Sequence, residues 1–391
     1  MTRKHIYLDH GASTPVHPQV MAAMLPYWTE MYGNPASAHD YGRQASSALD
    51  QSRRTIAQLM NAHPGEIVFT GCGSESDNMA LRGVMFAACA QGTGSHLITC
   101  ATEHGAVLQT AVQLRDHFDF DVTILPVDTY GRVSVEDVAA AIRPDTALIS
   151  IMAANNEIGT MQPFLQIGAL AHQHNIIFHT DAVQAAATMR WDMADMPIDL
   201  MSIAPHKFYG PKGVGILYAR RGLELVASLT GGGQEDGRRA GTVNVPFAVG
   251  AAKAMAMAMA ELDERNDHYT TLRDRLIEGI CAAFPDGCIL TGHPTDRLPH
   301  HASFAFQHVD GNNLLMHLDM AGIAASSGSA CHTGNPEPAP ILVAMGLDDA
   351  YTKGGVRFTV GQQTTMDDIE YVIDTMPSII EKLRQINLLF A

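Results

Sequence analysis

Ile67-Val68-Phe69-Thr70-Gly71-Cys72-Gly73-Ser74-Glu75-Ser76-Asp77-Asn78 begins with four strand-forming residues, turns on two glycines and runs on into a helix-length segment. A strand that passes through a Gly-rich turn into a helix leaves free backbone N–H groups at the helix N-terminus, where an anion such as a phosphate is stabilised. No Gly-Lys-Ser/Thr follows, so this is not a Walker loop. Taken alone, the turn is an ordinary tight connection, and its meaning depends on what surrounds it.

From about residue 65 to 220, short β-branched or apolar runs alternate with helix-length segments, the pattern of a parallel sheet with helical crossovers. Strands are predicted at Ile67–Thr70, His96–Thr99, Val122–Leu125, Ala147–Met152, Ile176–Thr180 and Leu200–Ile203. Ser134, three residues before Asp137, and Pro18, after His17, mark helix starts. Beyond about residue 265 the pattern is mixed, with helix-like Leu272–Ala283, a strand around Ala302–Phe306 and helix-like Ile369–Ile386. The fold class is therefore α/β, with a large domain over 15–260 whose sheet is mainly parallel. A smaller α+β domain is expected from 1–14 and 261–391, with the boundary within or beside a long helix.

The chain has 391 residues, enough for about two domains at roughly 100–200 residues each. Hydrophobic residues at 46% and charged ones at 17% describe an ordinary globular protein. A formal net charge of −16 gives no general attraction for nucleic-acid phosphates or anionic lipid, so direct nucleic-acid binding is not expected. The stretch after Met1 holds no apolar run of signal-peptide length, and Ala251–Ala260 falls far short of the ~20 residues that span a bilayer. A cytoplasmic protein without a membrane role is expected. The six cysteines form no CxxC pair and the nineteen histidines no HExxH, which argues against a metal site or a disulfide framework.

In an open α/β sheet, ligands bind beyond the carboxyl ends of the strands. Those ends are rich here: Thr102-Glu103-His104, Asn155-Asn156-Glu157, and His179-Thr180-Asp181 with Gln184 nearby. Ser202-Ile203-Ala204-Pro205-His206-Lys207 then places a lysine after a further strand. A single Asp after a strand is usually a turn or cap, and a single Lys is usually solvated. Together, an imine-forming lysine, an acidic residue and a phosphate cradle are the parts that pyridoxal 5'-phosphate (PLP) requires.

With these residues in view, the sequence closely resembles the cysteine desulfurases of the NifS/IscS type, PLP enzymes of fold type I with the aspartate-aminotransferase-like fold. The resemblance spans nearly the whole chain. It runs through Tyr7-Leu8-Asp9-His10-Gly11-Ala12-Ser13-Thr14-Pro15, Gly33-Asn34-Pro35-Ala36-Ser37, Thr102-Glu103-His104, Asn155-Asn156-Glu157-Ile158-Gly159 and Asp181-Ala182-Val183-Gln184. It continues through Ala204-Pro205-His206-Lys207, Gly231-Gly232-Gly233-Gln234-Glu235, Arg239-Ala240-Gly241-Thr242, Ser326-Ser327-Gly328-Ser329-Ala330-Cys331 and Arg357-Phe358.

The resemblance implies that Lys207 holds PLP as a Schiff base, Asp181 pairs with the pyridinium nitrogen and His104 stacks on the ring. Gln184 would contact the ring hydroxyl. Gly73 and Ser74 through their backbone, with Ser202 and His206, would hold the phosphate, and Thr242 would reach the phosphate of a partner subunit, which implies a homodimer. Asn155 and Arg357 would bind the substrate carboxylate, a planar anion suited to a guanidinium fork. The substrate is then L-cysteine. The Cys331 thiolate attacks the substrate sulfur, alanine leaves, and the persulfide on Cys331 passes to a sulfur-acceptor protein.

A thiol nucleophile acts as thiolate, so a pKa of about 8.5 must be lowered or a base supplied, by His332 or His104. A lone cysteine is commonly a buried small hydrophobe. Cys331, however, lies between Ser326-Ser327-Gly328-Ser329-Ala330 and His332-Thr333-Gly334-Asn335-Pro336-Glu337-Pro338, a small, polar, breaker-rich stretch that reads as an exposed loop. Some positions depart from the commonest family pattern: His10-Gly11, Gln234 and His332. The Cys331-His332 pair, followed by Glu337-Pro338-Ala339-Pro340, is also similar to the selenocysteine lyases. An aminotransferase of the same fold would need Lys207, Asp181 and Arg357 but no loop thiol, and the intact lysine, aspartate, arginine and cysteine argue against a noncatalytic partner-binding protein that keeps PLP as a structural element. The destination of the sulfur, whether iron–sulfur clusters, tRNA thiolation or DNA phosphorothioation, is not written in these residues.

Overall fold

The computed structural model describes residues 4–327 and 338–390. Near the N-terminus lies the short strand β1 (Ile6–Tyr7). A seven-stranded sheet follows, built from β2 (Ile67–Thr70), β3 (His96–Cys100), β4 (Asp121–Leu125), β5 (Thr146–Ser150), β6 (Ile177–Asp181), β7 (Leu200–Ile203) and β8 (Gly215–Ala219). Its order is β2-β8-β7-β6-β5-β3-β4. Neighbours from β7 to β4 pair in parallel, while β8 runs antiparallel to both β7 and β2.

The sequence predicts six of these strands to within two residues at each end. It does not predict β8, whose first residue follows Gly210-Pro211-Lys212-Gly213-Val214, a stretch that reads as turn only. A tight return after β7 needs no helical crossover, so the alternation that reveals the other strands is missing.

Residues alternate faces along each strand, and both faces are apolar. Val68, Leu97, Leu148, Leu200 and Leu217 pack with Leu81, Val84, Met85, Val107 and Leu114 of the helices Gly73–Gln91 and Gly105–Phe118. Ile67, Phe69, Ile98, Ile149, Met201 and Tyr218 face the opposite layer, with Val20, Ile56, Phe164, Ala251 and Met255. The helices Val245–Ala260 and Leu262–Ala283 meet at a bend of 74°, and most of the first is buried. Among the described residues no single helix is long and apolar enough to cross a membrane.

A separate core joins Ile6 and Leu8 to apolar residues between Tyr269 and Leu383. Its three-stranded antiparallel sheet has β10 (His301–Phe306) between β9 (Cys288–Leu290) and a later strand. In chain order the last strands are β11 (Ile323–Ala324), which pairs in parallel with β1, and β12 (Gly355–Thr359), the second neighbour of β10.

Candidate active site

A cleft of about 660 Å³ opens at the carboxyl ends of the parallel strands. Gly73, Ser74, His104, Asp181, Gln184, His206, Lys207 and Arg357 all line it. Each arrives there by local chain logic. The helix Gly73–Gln91 starts where β2 ends, with Cys72 as its N-cap, so the amides of Gly73 and Ser74 face the opening. A Cβ on Gly73 would fall 3.0 Å from Val183 Cγ2 and 3.3 Å from Ala204 Cβ, which favours glycine at this close approach. His104 caps the helix Gly105–Phe118, its Nδ1 accepting the Ala106 N–H at 3.1 Å, which fixes the ring at the cleft wall.

Asp181 is the last residue of β6 and is 4% exposed. Its Oδ1 accepts the Val183 N–H at 2.8 Å. Burial raises its pKa above the ordinary carboxyl value, against the fields of His104 and Lys207. Lys207 closes a short 3-10 turn after β7 and donates to the carbonyls of Gly11 and Ala12, both at 2.8 Å. Burial, aided by the Arg357 charge, brings its pKa down to about 8. Gln184 Nε2 donates to the Gly11 carbonyl at 2.9 Å, and His206 Nδ1 lies 3.3 Å from Ser13 Oγ. Burial and the Lys207 charge push His206 down to about 4, so it sits in the wall as a neutral ring.

Arg357, on β12, donates to the Asn156 carbonyl at 2.7 Å and to Asp9 Oδ1 at 2.9 Å, and its Nε has no hydrogen-bond partner. The cleft is bounded on the same side by Ser326, Ser327, Pro338 and Pro340. Cys331 and His332 lie outside the described residues, between these flanks.

Three residues stand apart from the cleft wall. Asn155 is buried, with Nδ2 donating to the Thr102 carbonyl and Oδ1 accepting the N–H groups of Glu157 and Ile158. Its amide therefore fixes the turn that carries Asn156 and Glu157, which do line the cleft. Ser202 is buried, its Oγ 3.1 Å from His179 Nε2, and it does not line the cleft beside the amides of Gly73 and Ser74. Thr242 is exposed on the segment before the helix Val245–Ala260.

The sequence assigned no role to three carboxyls at or near the cleft: Asp77 and Glu157 line it, and Glu103 is buried with its Oε1 accepting the Met152 N–H. Burial raises Glu157 to about 7 and Glu103 to about 8. Asp77 lines the cleft beside Asp181 and is raised well above its ordinary value by burial and by the Asp181 charge. Its signal was the spacing of four from Gly73, one helical turn along the same face.

The residues present fit PLP. An amine whose pKa is lowered to about 8, a buried carboxylate for a ring cation and a helix N-terminus for a phosphate converge on one cleft.

The aminotransferase class-V family profile matches residues 6–372. A cysteine desulfurase IscS from Methanosarcina thermophila is 45% identical over 384 residues, 98% of this chain and 94% of that protein. An IscS from Dictyoglomus turgidum is 42% identical over 385 residues, 98% and 97% of the two chains. Among solved structures, a NifS-like protein superposes with a TM-score of 0.90 at 35% identity, covering 97% of this chain and 100% of that one. A structure of SspA in complex with cysteine gives 0.78 at 35% identity, over 92% and 99%. The cleft residues and these likenesses agree: the chain belongs to the aminotransferase class-V family and, within it, to the cysteine desulfurases of the NifS/IscS type.

Proposed function

We propose that this chain is a PLP-dependent enzyme that moves the sulfur of L-cysteine onto its own Cys331 and releases L-alanine. The observation that carries this reading is the meeting of Lys207, Asp181 and Arg357 in one cleft, whose rim runs on both sides into the stretch that holds Cys331. PLP, when bound, supplies an electron-accepting ring conjugated to the substrate amine.

The chain supplies the rest. Lys207, lowered to about 8, keeps a share of its amine neutral near pH 7 to capture the cofactor, and once displaced it can carry a proton from the substrate Cα. The Asp181 carboxylate offers the ring nitrogen a buried anion. The amides of Gly73 and Ser74, with His206, would hold the phosphate, Gln184 would meet the ring hydroxyl and His104 would stack on the ring. Arg357 takes the substrate carboxylate, and Asn155 supports it by setting the 156–158 turn. The Cys331 thiolate would attack the substrate sulfur, whose bond to the substrate Cβ breaks with its electron pair passing to the three-carbon fragment released as alanine; an acceptor protein's thiol then takes the outer sulfur of the persulfide and frees Cys331 as the thiolate.

The same reading has the chain act in the cytoplasm as a homodimer, the exposed Thr242 of each copy reaching the other's cofactor phosphate. It divides the chain at residue 260 into a cofactor-binding domain and a domain, 1–14 with 261–391, that carries Cys331. The separate core of residues 6–8 and 269–383 supports that division.

The test is an incubation of the PLP-loaded protein with L-cysteine and a thiol reductant, with alanine and sulfide measured together. Equal amounts from the wild type and neither from Lys207→Ala are expected. No alanine from the wild type contradicts the proposal.

A further inference from the structure

The helix Gly73–Gln91 sets Asp77, 1% exposed, against the ends of β6 and β7. Ligand atoms of Asp77, Asp181 and His104 lie within 4.8 Å of one another. His179, two residues before Asp181, points to the same side of the sheet and is wholly buried. Its Nδ1 is 2.8 Å from Ser150 Oγ, and its Nε2 is 3.1 Å from Ser202 Oγ and 3.7 Å from Asp77 Oδ1. That Asp77 oxygen has no hydrogen-bond partner.

Two buried carboxyls this close cannot both be ionised. What surrounds them decides which one keeps the proton. Asp181 has an amide N–H donor at Val183 and faces the positive fields of His104 and Lys207. Asp77 has the Ser202 hydroxyl and the charges of two other carboxyls, Asp181 and Glu103. His179, pushed down to about 3 by burial, stays neutral beside it and supplies no cation.

We propose that Asp77 is a positioning residue that holds the one proton the pair shares, as a neutral acid, and so leaves Asp181 as the anion facing the cofactor ring nitrogen. The inference rests on the PLP reading for what Asp181 faces, and on the chain's own packing for where the proton lies.

Asp77→Asn, a neutral isostere, and Asp181→Asn, which removes the anion, separate the two carboxyls. Each variant is loaded with PLP, and its affinity and the pH dependence of the bound cofactor's absorbance are compared with wild type. Asp77→Asn is expected to keep the wild-type absorbance curve and to bind within about threefold, while Asp181→Asn binds at least about tenfold more weakly, the scale of a lost charge-assisted hydrogen bond. Infrared spectra of wild type with carbon-13-labelled aspartate read the proton directly, including where Asp77→Asn fails to fold. A protonated-aspartate carbonyl band at neutral pH supports the proposal, and in folded Asp77→Asn that band disappears. Absence of the band in wild type, its persistence in Asp77→Asn, or an Asp77→Asn defect as large as that of Asp181→Asn overturns it. Failure of PLP to label wild-type Lys207 under borohydride reduction would instead overturn the cofactor reading, leaving the infrared result to decide the place of the proton.

Discussion

Lys207 owes its low pKa of about 8 first to burial and then to Arg357, with Asp181 and Asp9 pulling the other way. Schiff-base formation needs the neutral amine, so capture of PLP by the apoprotein is expected to quicken about tenfold per pH unit below 8 and to level off above it. Borohydride trapping across a pH series measures this, and a rate that keeps climbing to about pH 10 would show an ordinary solvated lysine. At this scale most of the site was legible: His104, Asp181, Gln184, His206 and Lys207 each follow a strand end, where ligands of such sheets gather. Ser202, inside β7, and Asn155, on the turn beyond β5, are instead taken up by other partners: His179 for Ser202, and the Thr102 carbonyl and the 156–158 turn for Asn155. Strand bounds do not decide this, since β7 is predicted at its observed Leu200–Ile203; which neighbouring groups take up each side chain is set only when the layers come together. Asp77 was hidden for a related reason, since the helix face that meets the sheet is known only once the layers are assembled.

Among the elements, β8 is the one strand of the large sheet that the alternating pattern conceals, and it packs against the turn that leads into Gly73. A Cβ on its first residue, Gly215, would lie 2.3 Å from the Cys72 carbonyl oxygen and 2.4 Å from Thr70 Oγ1. Gly215→Ala must therefore displace the backbone that leads into Gly73. A loss of ~1–3 kcal/mol in urea unfolding is expected, the cost of overpacking a tight site. PLP affinity should fall with it, by about tenfold for a disturbance of ~1.4 kcal/mol at the cradle. Unchanged unfolding and unchanged affinity would show that β8 does not set the turn. The remaining strands were legible because doubly covered parallel strands read as short apolar runs between helices, and the two cores confirm that both faces are buried.

Over the whole molecule, buried carboxyls at and near the cleft make stability depend on pH. Glu103 and Glu157, raised by burial to about 8 and about 7, keep protons in the folded state that the unfolded chain releases near 4.5. The folded state then binds more protons, so stability falls as pH rises through that window. Buried histidines such as His10 and His206, both lowered to about 4, act in the opposite sense, but only below about 6.5, where the unfolded chain gains protons. Between about pH 6.5 and 8 the carboxyls act against no histidine, and the apoprotein should lose roughly 1–2 kcal/mol through Glu103. Thermal unfolding of the apoprotein should show the decline, and Glu103→Gln should flatten it; a wild-type stability that rises over this range contradicts the assignment. The central claim is that sulfur leaves L-cysteine by way of Cys331, and it is tested most directly by mass analysis of the PLP-loaded protein after brief exposure to L-cysteine and alkylation. The account predicts one extra sulfur atom on the peptide that contains Cys331 in wild type and none in Lys207→Ala, whereas alanine formed with no sulfur on Cys331 would contradict it.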